Sequence, residues 1–180
     1  MRKIISELVS QIKPLDELEA RDRASTLAWI ESGAELCRIV KPATPPKHLV
    51  SYFALFDRQK ILLVDHLNAQ LWLPTGGHVE AGEHPSETVK REAKEELDIE
   101  AQFIFENPIF ISVAETVGLT AGHTDVSLWY ALRGNYIHAL DFDRNEFASV
   151  RWFDFDDVPM GRTDPHMERF LKKYTTLRQD

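Results

Sequence analysis

Residues 76–99, GGHVEAGEHPSETVKREAKEELDI, constrain this chain more than any other stretch. Their second half reads as a helix. Val89, Ala93 and Leu97 recur every four residues and make an apolar stripe, while Glu92, Glu95 and Glu96 fall at i, i+3 and i+4 on a neighbouring face. A solvated helix normally sets Lys or Arg four residues after each Glu; here Glu92 is followed by Glu96, Glu95 by Ile99 and Glu96 by Glu100. Each like-charged neighbour costs about 0.2–0.5 kcal/mol even on an exposed helix, so a bound cation explains the patch better than a solvated face does. Carboxylate oxygens select Mg2+ or Mn2+ before Zn2+. His84, Pro85 and Glu87 read as an N-cap, an N1 proline and an N3 acid, which starts the helix near Pro85. Pro74-Thr75-Gly76-Gly77 reads as a turn whose glycines let the backbone approach a ligand, with the Gly76 carbonyl free to join a metal shell.

The spacing runs Gly77, five residues, Glu83, seven residues, Arg91-Glu92, two residues, Glu95-Glu96, two residues, Ile99. This closely resembles the Nudix box of the MutT-like hydrolases. The resemblance implies an α/β/α sandwich around a mixed β-sheet, Mg2+ (with Mn2+ as substitute) as cofactor, and Glu92, Glu95, Glu96 and the Gly76 carbonyl as metal ligands. An arginine beside a cation site would oppose binding, so Arg91 is expected to turn away and pair with Glu83; these two residues and Gly77 are the structural part of the box. Asp98 is the departure, standing where the family has a helix-ending glycine. Asp tolerates the left-handed region better than most residues, at a cost of about 1 kcal/mol. The family often takes its general base six residues before a tryptophan of the last strand, which here is Glu146, ahead of Trp152. Glu115 is the rival, and His123 with Asp125, two apart and on one side of a strand, are either a satisfied structural pair or a substrate-binding or general-base candidate.

A net charge of −8 with no Lys/Arg stripe argues against binding nucleic-acid backbones, and an anionic substrate then needs a metal bridge. Cys37 is the single cysteine, so no intrachain disulfide forms and a buried thiol in a reducing cytoplasm is expected. The N-terminus lacks a signal-peptide core, and the densest apolar run, residues 49–56, is too short to span a bilayer. Cytoplasmic localisation, with no membrane partner, is the expectation.

Residues 3–12 and 16–32 carry helical patterns and read as an N-terminal hairpin that must pack on the main domain or on another subunit, which leaves a homodimer open. KPATPPKH, residues 41–48, reads as a linker. The expected organisation is therefore an extension with linker over residues 1–45 and a hydrolase domain over 46–180. Strands are expected at 49–56, 60–65, 71–73, 101–105, 108–115, 124–132 and 147–153, a loop at 117–123, and a closing helix at 165–176. Phe53, Trp72, Phe110 and Trp129 are candidates to stack on a base or to fill the core.

Residues outside the box mostly exclude substrates. The proline-rich signature of NADH-type enzymes and the upstream motif of coenzyme A pyrophosphatases are absent. Ala114 stands where ADP-ribose enzymes tend to carry proline, and residues 115–117 lack the tyrosine of dinucleoside-polyphosphate enzymes. The resemblance leaves pyrophosphate hydrolysis of a nucleoside tri- or diphosphate derivative. A catalytically inactive nucleotide-binding or regulatory module is the alternative, although every charged position of the box is present. An isopentenyl diphosphate isomerase on the same fold is disfavoured by the complete box and the lone Cys37.

Overall fold

The computed structural model describes residues 1–41, 44–117 and 121–179. The chain runs α1 (Arg2–Gln11), α2 (Glu17–Glu31), β1 (Lys47–Asp57), β2 (Lys60–His66), β3 (Leu71–Leu73), β4 (Thr75–His78), α3 (Pro85–Leu97), β5 (Phe110–Glu115), β6 (Thr124–Arg133), β7 (Phe147–Asp154) and α4 (Met167–Leu177). Seven strands form one mixed sheet in the order β3–β2–β1–β6–β5, with β4 paired to β1 and β7 to β2. β1 and β6 run parallel; their neighbours in the sheet pair antiparallel.

The central strands are apolar on both faces because both faces are covered. Leu49, Phe53 and Leu55 of β1, Leu62 and Val64 of β2, and Val126, Leu128, Tyr130 and Leu132 of β6 meet Val89, Ala93 and Leu97 of α3. Ile5, Val9 and Ile30 from the N-terminal hairpin join the same cluster. The alternate residues Ala54, Phe56, Ile61, Leu63, Trp129 and Ala131 pack on Met167, Phe170, Leu171 and Tyr174 of α4. The layers are those of an α/β/α sandwich. Residues 53, 110 and 129 are fully buried, so these aromatics are core and not base-stacking platforms; Trp72 is half-buried beneath the Arg162 guanidinium.

The hairpin docks on its own domain. Asp16 caps α2 by accepting from the Glu19 backbone N–H at 2.9 Å and also pairs with Arg169 of α4 at 2.6 Å. Glu19 is fully buried, accepts from the backbone N–H groups of Leu15 at 2.7 Å and Ile111 at 3.3 Å, and is paired with Lys173. The hairpin's apolar stripe thus needs no second subunit to cover it.

Three expectations are corrected. The segment read as a turn at residues 74–77 is mostly strand: β4 pairs with β1, Gly76 opposite Tyr52. Gly76 permits this because its φ is +143° and a Cβ there would lie 2.2 Å from the Ser51 carbonyl oxygen. Residues 101–105 form no strand and meet the sheet at one bridge, Phe103 to Leu132, because β5 occupies the β6 edge from Trp129 to Thr124. The strand read at 108–115 is shorter, beginning at Phe110. Residues 118–120 of the expected 117–123 loop, and 42 and 43 of the linker, lie outside the described residues. Asp98 caps α3 in the left-handed conformation, φ 50° and ψ 39°, with Lys94 2.5 Å from its carboxylate.

Candidate active site

Along its single edge facing β2 and β4, β1 has two antiparallel partners: β4 over Val50 to Phe53 and β2 at Phe56 and Asp57. A cavity of about 590 Å3 opens beside them, with Gly76, Gly77 and Glu96 in one part of its wall and His78, His123 and Asp125 in another. Glu115 also lines it. Arg38, from the segment after α2, is the one arginine or lysine in the wall among the described residues.

α3 begins as its sequence dictates: His84 Nδ1 accepts from the Ser86 N–H at 3.1 Å and Pro85 takes the first helical position. Three elements then fix the acidic patch. Arg91 grips Glu83 with two hydrogen bonds, Nε to Oε1 at 3.0 Å and Nη2 to Oε2 at 3.1 Å, and Nη2 also donates to the His78 carbonyl at 3.3 Å. Glu83 further accepts from the Glu80 backbone N–H and the Thr88 hydroxyl. Burial would raise the Glu83 carboxyl, but these donors outweigh it and hold it below the usual range. Arg91 does not turn fully away from the patch: its Nη1 donates to Glu92 at 2.5 Å and lies 3.6 Å from Glu95.

Gly77 serves differently from Gly76. A Cβ at position 77 would stand 1.9 Å from Glu92 Oε1, so a side chain there would push the carboxylate out of its place beside the strand. Glu96 is buried at 6% exposure, accepts from the Gly76 N–H at 3.2 Å, and is the only one of the three helical glutamates to line the cavity. Burial, followed by the charges of Glu92 and Glu146, pushes its carboxyl up to about 9. Glu92 is raised as well, first by burial. Glu95 is exposed. Glu146 is exposed in the turn before β7, close enough for its charge to act on both Glu92 and Glu96. Buried carboxylates that raise one another and share only Arg91, itself committed to Glu83, are a set suited to a hard divalent cation.

The second wall holds what sequence reasoning missed. His123 and Asp125 do stand together, but His48 and His78 stand with them. Asp125 Oδ1 lies 3.3, 3.7 and 3.4 Å from the Nε2 atoms of His48, His78 and His123. The parallel register places His48 directly opposite Asp125, and β4 brings His78 opposite Val50, two residues along β1. Burial would raise Asp125, yet the imidazoles around it hold it at about 2; burial lowers His78 and His123. His78 follows Gly77 directly in the acidic stretch, and His48 closes the proline linker. Only the strand register reveals that they meet.

Comparison with known proteins agrees with this fold. The NUDIX domain model matches residues 46–174. Among solved structures, a hydrolase of the NUDIX family from Clostridium perfringens is 21% identical, with a TM-score of 0.57 over 72% of this chain and 97% of its own. An Ap4A hydrolase from C. elegans is 22% identical, with a TM-score of 0.58 over 74% and 96%, and a MutT NUDIX hydrolase from Burkholderia pseudomallei is 20% identical, with 0.54 over 71% and 97%. At these identities the solved structures speak for the fold. No curated protein matches the sequence. No helix of the described residues is long and apolar enough to cross a membrane.

Proposed function

Because the chain belongs to the NUDIX family, we propose that it is a Mg2+-dependent hydrolase that cleaves a pyrophosphate bond in a nucleoside tri- or diphosphate derivative. The observation that carries this reading is Glu96, a buried carboxylate at the cavity wall with one backbone donor and three further carboxylates acting on it. Glu92, Glu95, Glu96 and the Gly76 carbonyl are the residues that would hold Mg2+, which supplies charge neutralisation at the phosphate oxygens and lowers the pKa of a bound water. The Arg91–Glu83 clamp keeps the loop before α3 fixed against the helix, so the ligands are positioned before substrate arrives. Arg38 supplies positive charge in the cavity for an anionic substrate. Glu146, beside the acidic patch yet open to water, is assigned the general-base role, accepting a proton from the attacking water. Residues 1–45 are an extension that buttresses the domain at 46–180.

The test is a panel of nucleoside triphosphates and diphosphate derivatives with Mg2+, reading phosphate, pyrophosphate and nucleotide products. Glu96→Gln should lower turnover at least about a hundredfold with folding retained, and Glu146→Gln should do the same without changing metal affinity. Unaltered activity of Glu96→Gln removes the ligand assignment. Full activity of Glu146→Gln moves the base to Glu115 or to His123 and Asp125, and metal binding without turnover of any substrate would make the chain a nucleotide-binding module.

A further inference from the structure

The His48–His78–His123–Asp125 cluster uses none of the helical glutamates and sits on the ends of three strands and the loop before β6, and its polar atoms are arranged in a way that hydrogen bonding does not satisfy. One ligand atom from each residue lies within 4.8 Å of every other. His48 Nδ1 sits 2.9 Å from the Pro45 carbonyl, which can only accept, so Nδ1 carries the proton and the Nε2 lone pair points into the cluster. His123 Nδ1 is likewise turned outward, 3.3 Å from the Thr116 hydroxyl. Facing these nitrogens is Asp125 Oδ1, sealed from solvent in a residue only 9% exposed and without an aligned hydrogen-bond donor. His78 Nε2 can give a single proton, and it lies nearer His48 Nε2, at 2.8 Å, than Asp125, at 3.7 Å. Lone pairs therefore converge on one point with too few protons among them.

The distances from Asp125 are close to what a metal would require, whereas His48 and His78 Nε2, 2.8 Å apart, would have to separate slightly to share it. Four ligands at about 2.0–2.1 Å in a tetrahedron stand about 3.3 Å apart, and Asp125 Oδ1 is 3.3, 3.4 and 3.7 Å from the three Nε2 atoms. Outward Nδ1 contacts to a carbonyl and a hydroxyl are the supports that orient ligating histidines. We propose that His48, His78, His123 and Asp125 form a second metal site, for a borderline divalent transition ion of the Zn2+ class, bordering the cavity. Three imidazoles and one carboxylate favour such an ion over Mg2+, whereas the all-oxygen helix site has the opposite preference, so the two sites sort their metals by donor chemistry. The ion would tie β1, β4 and β6 together where they border the cavity. His123 and Asp125 then shape the substrate's surroundings through the metal.

The test needs no turnover and is independent of the hydrolase reading. The full chain, stripped with chelator and desalted, is titrated with Zn2+ and separately with Co2+, with bound metal counted after gel filtration. The expected result is one Zn2+ retained per chain in the presence of excess Mg2+, a visible spectrum of tetrahedral Co2+, and a higher melting temperature with Zn2+. His78→Gln, at a partly exposed side chain that can be replaced without opening a sealed void, should weaken retention at least about tenfold. Glu92→Gln should leave it unchanged. Failure of the wild-type chain to retain Zn2+ overturns the proposal whatever the variants do, and so does retention that survives His78→Gln or is lost in Glu92→Gln.

Discussion

Two glutamates in this molecule are almost equally hidden and opposite in circumstance. Glu19 in α2 is fully buried, but it meets Lys173 and two backbone N–H groups. Glu96 in α3, 6% exposed, meets one backbone N–H and the charges of other carboxylates. A buried charge is tolerated only when it is paired or when it can be neutralised. The chain supplies its own cation where the charge joins helices together, and withholds one at the site proposed to take a cation from solution.

The comparison can be broken from either side, and the largest effect is expected at Glu19. Lys173→Met leaves that carboxylate buried without its partner and should cost about 3–5 kcal/mol in urea unfolding. Adding Glu19→Gln, whose single amide oxygen can still accept from one of the Leu15 and Ile111 N–H groups, should recover part of the loss. A single variant that costs under about 1 kcal/mol would show that the pair is not architectural. At the other glutamate the sign reverses. Metal-free Glu96→Gln should stay within about 0.5 kcal/mol of the wild type or exceed it, while Mg2+ at a hundredfold over its Kd should stabilise the wild-type chain by about 2.7 kcal/mol and the variant far less. Equal Mg2+ stabilisation of both would erase the contrast.

The smallest effect belongs to Asp16, whose pair with Arg169 is partly open to solvent. Asp16→Asn preserves the helix cap and removes the charge, so the loss should be about 0.2–1 kcal/mol at neutral pH. Arg169 beside it, foremost by its hydrogen bonds, holds the Asp16 carboxyl well below its ordinary 3.8. A depressed carboxyl adds stability above its ordinary value and loses it as pH falls through the folded one. The gap between wild type and variant should therefore be full at pH 6 and close progressively below pH 3.8.

The acidic helix was legible because its information is local: an apolar repeat of four, an N-cap with proline, and carboxylates at fixed offsets all act within one element. The central strands were legible for the same reason, their apolar runs reflecting cover on both faces. The histidine cluster was not. His48 and Asp125 are 77 positions apart in the sequence and become neighbours only through the parallel register of β1 and β6, which no spacing encodes. β4 was misread because Gly76 and Gly77, ordinarily turn residues, serve here as a strand that must come very close to Ser51 and Glu92. Residues 101–105 had strand composition, but β5 takes the β6 edge up to Trp129 and leaves them only a bridge at Leu132. What the chain alone concealed was competition among segments for the same partner.

The Glu19–Lys173 pair also has a consequence in time. Its members are 154 residues apart, and a chain synthesised from its N-terminus makes the acid long before the base. Until α4 is in place, docking the hairpin would bury an unpaired charge, so α1 and α2 are held in waiting for α4. In Lys173→Met that wait should become permanent enough to see: limited proteolysis should cut first within the α1–α2 segment while the sheet still resists. The α1–α2 hairpin is completed by α4.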